Sequence, residues 1–213
     1  AALYVSNGRK EGGMRGMRRR QMINRFTLNV ECVIAKTGMA FTSDWIPGKD
    51  ARLVAIAKFT DAVNPSGFTS VLVCGNDDKS SFLIANGGES NQRMQFQMYN
   101  NLLWPEENPL VLYLDEEKVY TFELNSTFMR CGASYLGRNR TLAGTVPLEI
   151  CRNQENNYKS STFHIYGIKC WNNGVLERDF VPAKKNGIYG LYDKVNKRFW
   201  RSDTGVDFLG KDK

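Results

Sequence analysis

The sequence predicts an all-β chain, folded as an antiparallel two-sheet sandwich or jelly roll. Three observations carry that prediction. Apolar runs with strand character recur roughly every 8 to 14 residues, clusters of Asn, Asp, Gly and Pro separate them, and no long segment keeps a 3.6-residue period between caps. The composition agrees: 213 residues, 42% hydrophobic, with 19 Gly, 12 Phe, nine Tyr and four Trp, suffice for a buried core and are far too apolar for disorder. The longest aliphatic and aromatic run, Leu110 to Leu114, falls well short of the roughly 20 residues a membrane-spanning helix needs.

Residues 1–25 read as an extended arm. Gly8, Gly12, Gly13 and Gly16 alternate with arginines and with Met14, Met17 and Met22, a composition that cannot bury itself. The basic residues Arg9, Lys10, Arg15, Arg18, Arg19, Arg20 and Arg25 stand against Glu11 alone, a net +6 of the chain's +7. The remaining body, 26–213, is therefore close to neutral, and the charge belongs to the arm. Such an arm is either a solvated tail or a segment that orders against an acidic or phosphate-rich partner. A start at Ala1 without methionine reads as a processed product or the ordered part of something longer.

From Phe26 the period changes to two: Phe26, Leu28, Val30, Cys32 and Ile34 alternate with polar residues, as in a half-buried strand. Arg52 to Phe59 is apolar on both parities, which predicts a strand covered on both faces. Further strands are expected at Thr69–Cys74, Ser81–Ala85, Arg93–Tyr99, Leu110–Leu114, Lys118–Leu124, Thr127–Cys131 and Val146–Cys151. Thr162 to Cys170 follows, then Asn172-Asn173-Gly174, whose tolerance of left-handed angles predicts a type I′ hairpin. Val175 to Val181 returns, and Pro182 is expected to stop its ladder. Ile188–Tyr192 and Arg198–Trp200 form a second unit around a polar loop.

The C-terminal third carries a resemblance. Ile165-Tyr166-Gly167-Ile168-Lys169, Asn173-Gly174, Leu176-Glu177-Arg178-Asp179-Phe180-Val181-Pro182-Ala183, Gly190-Leu191-Tyr192-Asp193, Phe199-Trp200 and Gly205 resemble the closing motif of concanavalin A-like, laminin-G-like jelly rolls. Domains of this kind occur in phage tail and other virion proteins and in surface proteins of gut bacteria. Glu31–Gly38 and Phe41–Pro47 resemble the family's opening strand and the segment after it, although Ser43-Asp44-Trp45 stands where Asp-Thr-Gly is usual. The resemblance covers roughly residues 26 to 210 and implies a fold; function has to come from a site. It implies a structural or adhesion module of a phage virion (tail, fibre or capsid surface), with the arm docking into the assembly and the sandwich reaching host glycans. The alternative is a secreted or surface-anchored bacterial carbohydrate-binding module, located outside the cell.

Candidate chemistry is sparse. Glycosidases of this fold class place acids two apart on one strand, and the nearest match is Glu177-Arg178-Asp179, with Phe180-Val181-Pro182 where a third acid would be needed. Asp179 is expected to be a structural acceptor for backbone donors or an arginine partner. The single histidine, His164, lies in a strand with no nucleophile elbow in the chain, so no enzyme is expected. Cys32, Cys74, Cys131, Cys151 and Cys170 are odd in number and widely spaced, which predicts buried free thiols rather than zinc or a disulfide framework. The resemblance implies calcium in some members; Asp77-Asp78 and Asp203 with Asp207 offer oxygens but no recognised loop spacing, and no cofactor is expected. Glycan-binding candidates are the aromatics beside turns with their amide neighbours: Tyr99, Asn100, Asn101 and Trp104, and Trp171 with Asn172. The same rings could instead cap the ends of the sandwich. Partners are expected to be other virion or surface proteins, through the arm, in a homo- or hetero-oligomeric assembly; the near-neutral body disfavours nucleic acid.

Overall fold

The computed structural model describes residues 25–36, 38–60, 70–76, 81–90, 93–99, 110–137, 144, 146–151 and 162–213. These contain strands and turns and no helix. In chain order the strands are β1 (Phe26–Thr27), β2 (Val30–Ala35), β3 (Phe41–Thr42), β4 (Arg52–Thr60), β5 (Ser70–Asn76), β6 (Ser81–Ser90), β7 (Arg93–Tyr99), β8 (Leu110–Leu114) and β9 (Tyr120–Asn125). They continue with β10 (Phe128–Cys131), β11 (Ser134–Gly137), β12 (Glu149–Ile150), β13 (Thr162–Asn172), β14 (Val175–Lys185), β15 (Ile188–Asp193), β16 (Arg198–Trp200) and β17 (Leu209–Asp212).

All pairings are antiparallel and make two sheets. The larger runs β11-β10-β9-β4-β13-β14-β15-β16, with β2 beside β13, β17 beside β2 and β1 beside the end of β14; the smaller runs β3-β12-β5-β6-β7-β8. Leu53, Ala55, Ala57, Phe59, Ile165, Ile168 and Phe180 of the first sheet share one buried cluster with Leu72, Val73, Ile84, Leu112 and Ile150 of the second. The arrangement is sandwich-like, in that buried apolar side chains of both sheets share one core.

Several expectations are corrected. β4 is not covered on both faces: Leu53, Ala55, Ala57 and Phe59 are buried, Val54 is half-buried and Ile56 is exposed. Two apolar parities here mean one core face and one open face dotted with Val and Ile. The run from Phe26 to Ile34 breaks in two, because β1 pairs with β14 while β2 pairs with β13 and β17. Phe26 and Leu28 are exposed, whereas Cys32 and Val33 are both buried. Pro182 does not stop its ladder; it sits opposite Leu191 within β14. β13 pairs with β14 only as far as Phe180, and β1 takes over at Lys184. Pro182 thus lies where the strand has no paired residue on its other side among the described residues, a place where a missing N–H is tolerated. The strand expected over Val146–Cys151 shortens to β12.

Arg25 is the one arm cation among the described residues; Arg9, Lys10, Arg15, Arg18, Arg19 and Arg20 lie outside them, as do Asp77 and Asp78. Its backbone N–H donates to Asn186 Oδ1 at 3.0 Å, and its carbonyl accepts from Asn186 N–H at 2.8 Å. Phe26 then packs on Tyr192, ring centroids 4.7 Å apart. The arm therefore departs from the β14–β15 turn.

Candidate functional site

The hairpin between β13 and β14 forms as its sequence dictates. Asn173 and Gly174 take φ of 49° and 75°, the two left-handed residues of a type I′ turn. Just beyond it a register shift sets Trp171 opposite Leu176 and Cys170 opposite Arg178, which leaves Glu177 as the extra residue of a bulge.

The bulge decides what the acidic motif does. Glu177 Oε2 accepts from Trp45 Nε1 at 3.0 Å and from Asn172 Nδ2 at 2.7 Å. Arg178 reaches Asp44 at 2.8 Å and lies 3.7 Å from the fully buried Asp193. Asp179 instead meets Lys194 at 3.3 Å and Lys169 at 3.9 Å, so lysines stand where backbone donors or an arginine partner were expected for it. The Glu177 and Asp179 carboxylates share no partner and do not form a paired-acid arrangement. The two segments that carry the family resemblance are locked together here, since Asp44, Trp45, Ile46 and Gly48 all bond to Asn172, Glu177 or Arg178.

Asn172 is committed to that lock. Its Oδ1 accepts from Gly48 N–H at 2.7 Å and its Nδ2 also donates to the Ile46 carbonyl at 3.1 Å, leaving little for a ligand. Trp171, its neighbour, faces the other way. With Asp50, Arg52, Asn125, Ser126, Thr127 and Gly174 it lines an open cleft of about 250 Å³. Asn125 Oδ1 shapes the rim by accepting from Thr127 N–H and Phe128 N–H, each at 2.8 Å. Arg52 lies over the Trp171 ring at 4.6 Å and is held there by the buried Glu123, to which its Nε donates at 2.8 Å. An aromatic face beside a carboxylate, a guanidinium, amides and hydroxyls is the chemistry that sugars are bound by. Of the other candidates, Asn100, Asn101 and Trp104 lie outside the described residues, and Tyr99 ends β7. The cleft's Arg52, Asp50 and Asn125–Thr127 were missed, because their adjacency to Trp171 depends on the long-range pairing of β4 with both β13 and β9.

A larger groove, about 660 Å³, runs along Phe41, Arg198, Trp200, Arg201, Asp203 and Asp207. Arg198 lies over the Trp200 ring at 3.7 Å and pairs with Asp44, and Asp203 accepts from Thr42 N–H at 2.8 Å. Among the described residues no group of three His, Cys, Asp or Glu side chains could hold a metal ion. Cys32, Cys131, Cys151 and Cys170 are free thiols; burial pushes Cys131 up to about 11 and raises Cys32 and Cys170. Cys32 Sγ lies 3.7 Å from His164 Nδ1, and burial raises the Cys32 thiol above its ordinary value. No described helix is long and apolar enough to cross a membrane. A scan against protein-family models returns no match for this chain, and a search of curated proteins returns none either.

Proposed function

We propose that this chain is a non-enzymatic structural and adhesion module of a virion, built on a concanavalin A-like, laminin-G-like jelly roll, which docks by its arm and contacts host glycans. The observation that carries the reading is polarity. The arm departs at Asn186, after the last residue of β14, and the Trp171 cleft opens at the first residues of the same strand. Ten residues of strand separate the two, about 33 Å at roughly 3.3 Å per residue. A module anchored at one end and binding at the other needs that layout.

The test has two arms. Deleting residues 1–25 should abolish entry of the protein into its particle while leaving the strand signal in circular dichroism; unchanged incorporation would remove the arm from the assembly. On a glycan array, Trp171→Ala should weaken any detected binding at least tenfold, equivalent to about 1.4 kcal/mol. Glycan binding without any particle association would favour the secreted bacterial module instead. Polysaccharides incubated with pure protein should release no reducing ends; release that disappears in Glu177→Gln would overturn the non-enzymatic reading.

A further inference from the structure

The open face of the larger sheet carries a row of charges that the chain's net charge conceals. Tyr135, Arg130, Glu123, Val54, Lys169 and Asp179 are successive cross-strand partners over β11, β10, β9, β4, β13 and β14. Partners directly opposite in a sheet point to one face, and here it is the face away from Leu53 and Ala55. Arg52, one pair along on β4, joins the row through Glu123, and Lys194 joins it through Asp179.

Depth separates the two signs. The side chains of Arg52, Arg130, Lys169 and Lys194 are 44%, 54%, 49% and 50% exposed, whereas Glu123 and Asp179 are 7% and 8% exposed. The carboxylates of the row lie underneath its cations, so that along the row positive charge faces outward, while the exposed Asp50 lies in the adjoining cleft. From Arg130 to Asp179 the row crosses four strand spacings, about 19 Å at roughly 4.8 Å each. The result is a narrow cationic track at right angles to the strands, flanked along its middle strands β9, β4 and β13 by the Trp171 cleft, where Arg52 belongs to both.

We infer that this track binds a linear acidic polysaccharide, one bearing carboxylate or sulfate groups, and that the glycan proposed for the Trp171 cleft is of this class. The inference rests on the adhesion reading and specifies its ligand. Charge complementarity argues for it: the anions of one chain would meet Arg130, Arg52, Lys169 and Lys194 in turn, two guanidiniums and two ammoniums that suit carboxylate and sulfate oxygens. Single-stranded nucleic acid is the less favoured polyanion, because beyond the arm the body carries only a net +1 and offers no wider basic face to extend a nucleic-acid footprint.

The experiment compares dextran sulfate, dextran, polygalacturonate and oligo(dT) as ligands of the full-length protein, of Lys169→Gln/Lys194→Gln and of Trp171→Ala. Because both lysines partner the buried Asp179, the lysine change is made together with Asp179→Asn, so that no carboxylate is left buried and unpaired, and the arm is the same in every variant. The expected result is binding of dextran sulfate and polygalacturonate over dextran, weakened about tenfold by the double lysine change and lost in 1 M salt, where screening shortens to about 3 Å. Equal binding of both polyanions by the wild type and the double lysine variant would overturn the track. Binding of dextran that needs Trp171 but not the lysines would overturn it too, while leaving the adhesion reading in place. No polysaccharide binding at all would sink the adhesion reading itself. Oligo(dT) binding as tight as polygalacturonate, and equally sensitive to the lysines, would assign the track to nucleic acid instead.

Discussion

Asp193 is the residue on which the lock between the opening and closing segments turns. It is fully buried, and its Oδ1 accepts from Asp179 N–H at 3.1 Å and Val195 N–H at 3.0 Å, its Oδ2 from Asn196 Nδ2 at 2.8 Å. Arg178, 3.7 Å away, balances its charge. Asp193→Ala would strand these donors and leave a mostly buried guanidinium with only Asp44. We expect a loss of about 3–5 kcal/mol, the usual cost of breaking a buried pair, measured by urea unfolding. A loss below about 1 kcal/mol would show Asp44 to be sufficient. Much of this was legible in the sequence, where Leu176 to Ala183 and Gly190 to Asp193 stood out as segments of one motif. The partners were not. Glu177 and Asp179 look like a same-face pair because alternation puts residues two apart on one side, and the bulge that separates them depends on the register of β13, which local pattern does not encode.

At the scale of elements, the hairpins were readable and the edges were not. Asn-Gly announced the β13–β14 turn, and Gly190 has an equally specific reason. A Cβ there would fall inside van der Waals contact of the Trp200 carbonyl oxygen, so a side chain must part β15 from β16. Gly190→Ala should therefore give no cooperative thermal transition, whereas Gly174→Ala, with open space around it and only a left-handed φ to strain it, should cost about 1 kcal/mol. A Gly190→Ala protein that melts like wild type would show the two strands to be loosely paired. β3, β11 and β17 are short, with few apolar residues, and escaped notice because pairing rather than composition makes them strands. β17 depends on a charge contact: Lys211 Nζ lies 2.8 Å from Glu31 on β2, and this hydrogen bond holds the Glu31 carboxyl below its ordinary value. A carboxyl lowered by folding adds stability above its unfolded value and loses it as pH falls through the folded one. Amide exchange in β17 should therefore quicken as pH drops below the usual glutamate range, after correction for intrinsic rates. Glu31→Gln should remove that dependence; an unchanged pH profile in the variant would assign the effect to another group.

At the scale of the molecule, the all-β class and the sandwich-like layering were visible in period and turn spacing, but the placement of charge was not. Subtraction gave the body a net +1 and assigned the charge to the arm. Net charge has no depth, and only the fold reveals that Glu123 and Asp179 are buried beneath the cations they neutralise. The lock between the two ends of the fold also sets a clock. Gly48 bonds to Asn172, 124 residues later, and Asp44 to Arg178, 134 residues later. β4 likewise waits for β9 to pair one edge and for β13 to pair the other. At about 5–20 residues per second of synthesis, the interval between the emergence of Gly48 and that of Asn172 is roughly 6–25 s. Throughout it the Trp45 indole has no carboxylate to bond and the apolar parity of β4 has no completed sheet to face. Non-local pairing of this kind folds in milliseconds to seconds once the chain is whole. The hazardous period is therefore spent on the ribosome, where a nascent chain halted before residue 172 would hold an opening segment that nothing can close.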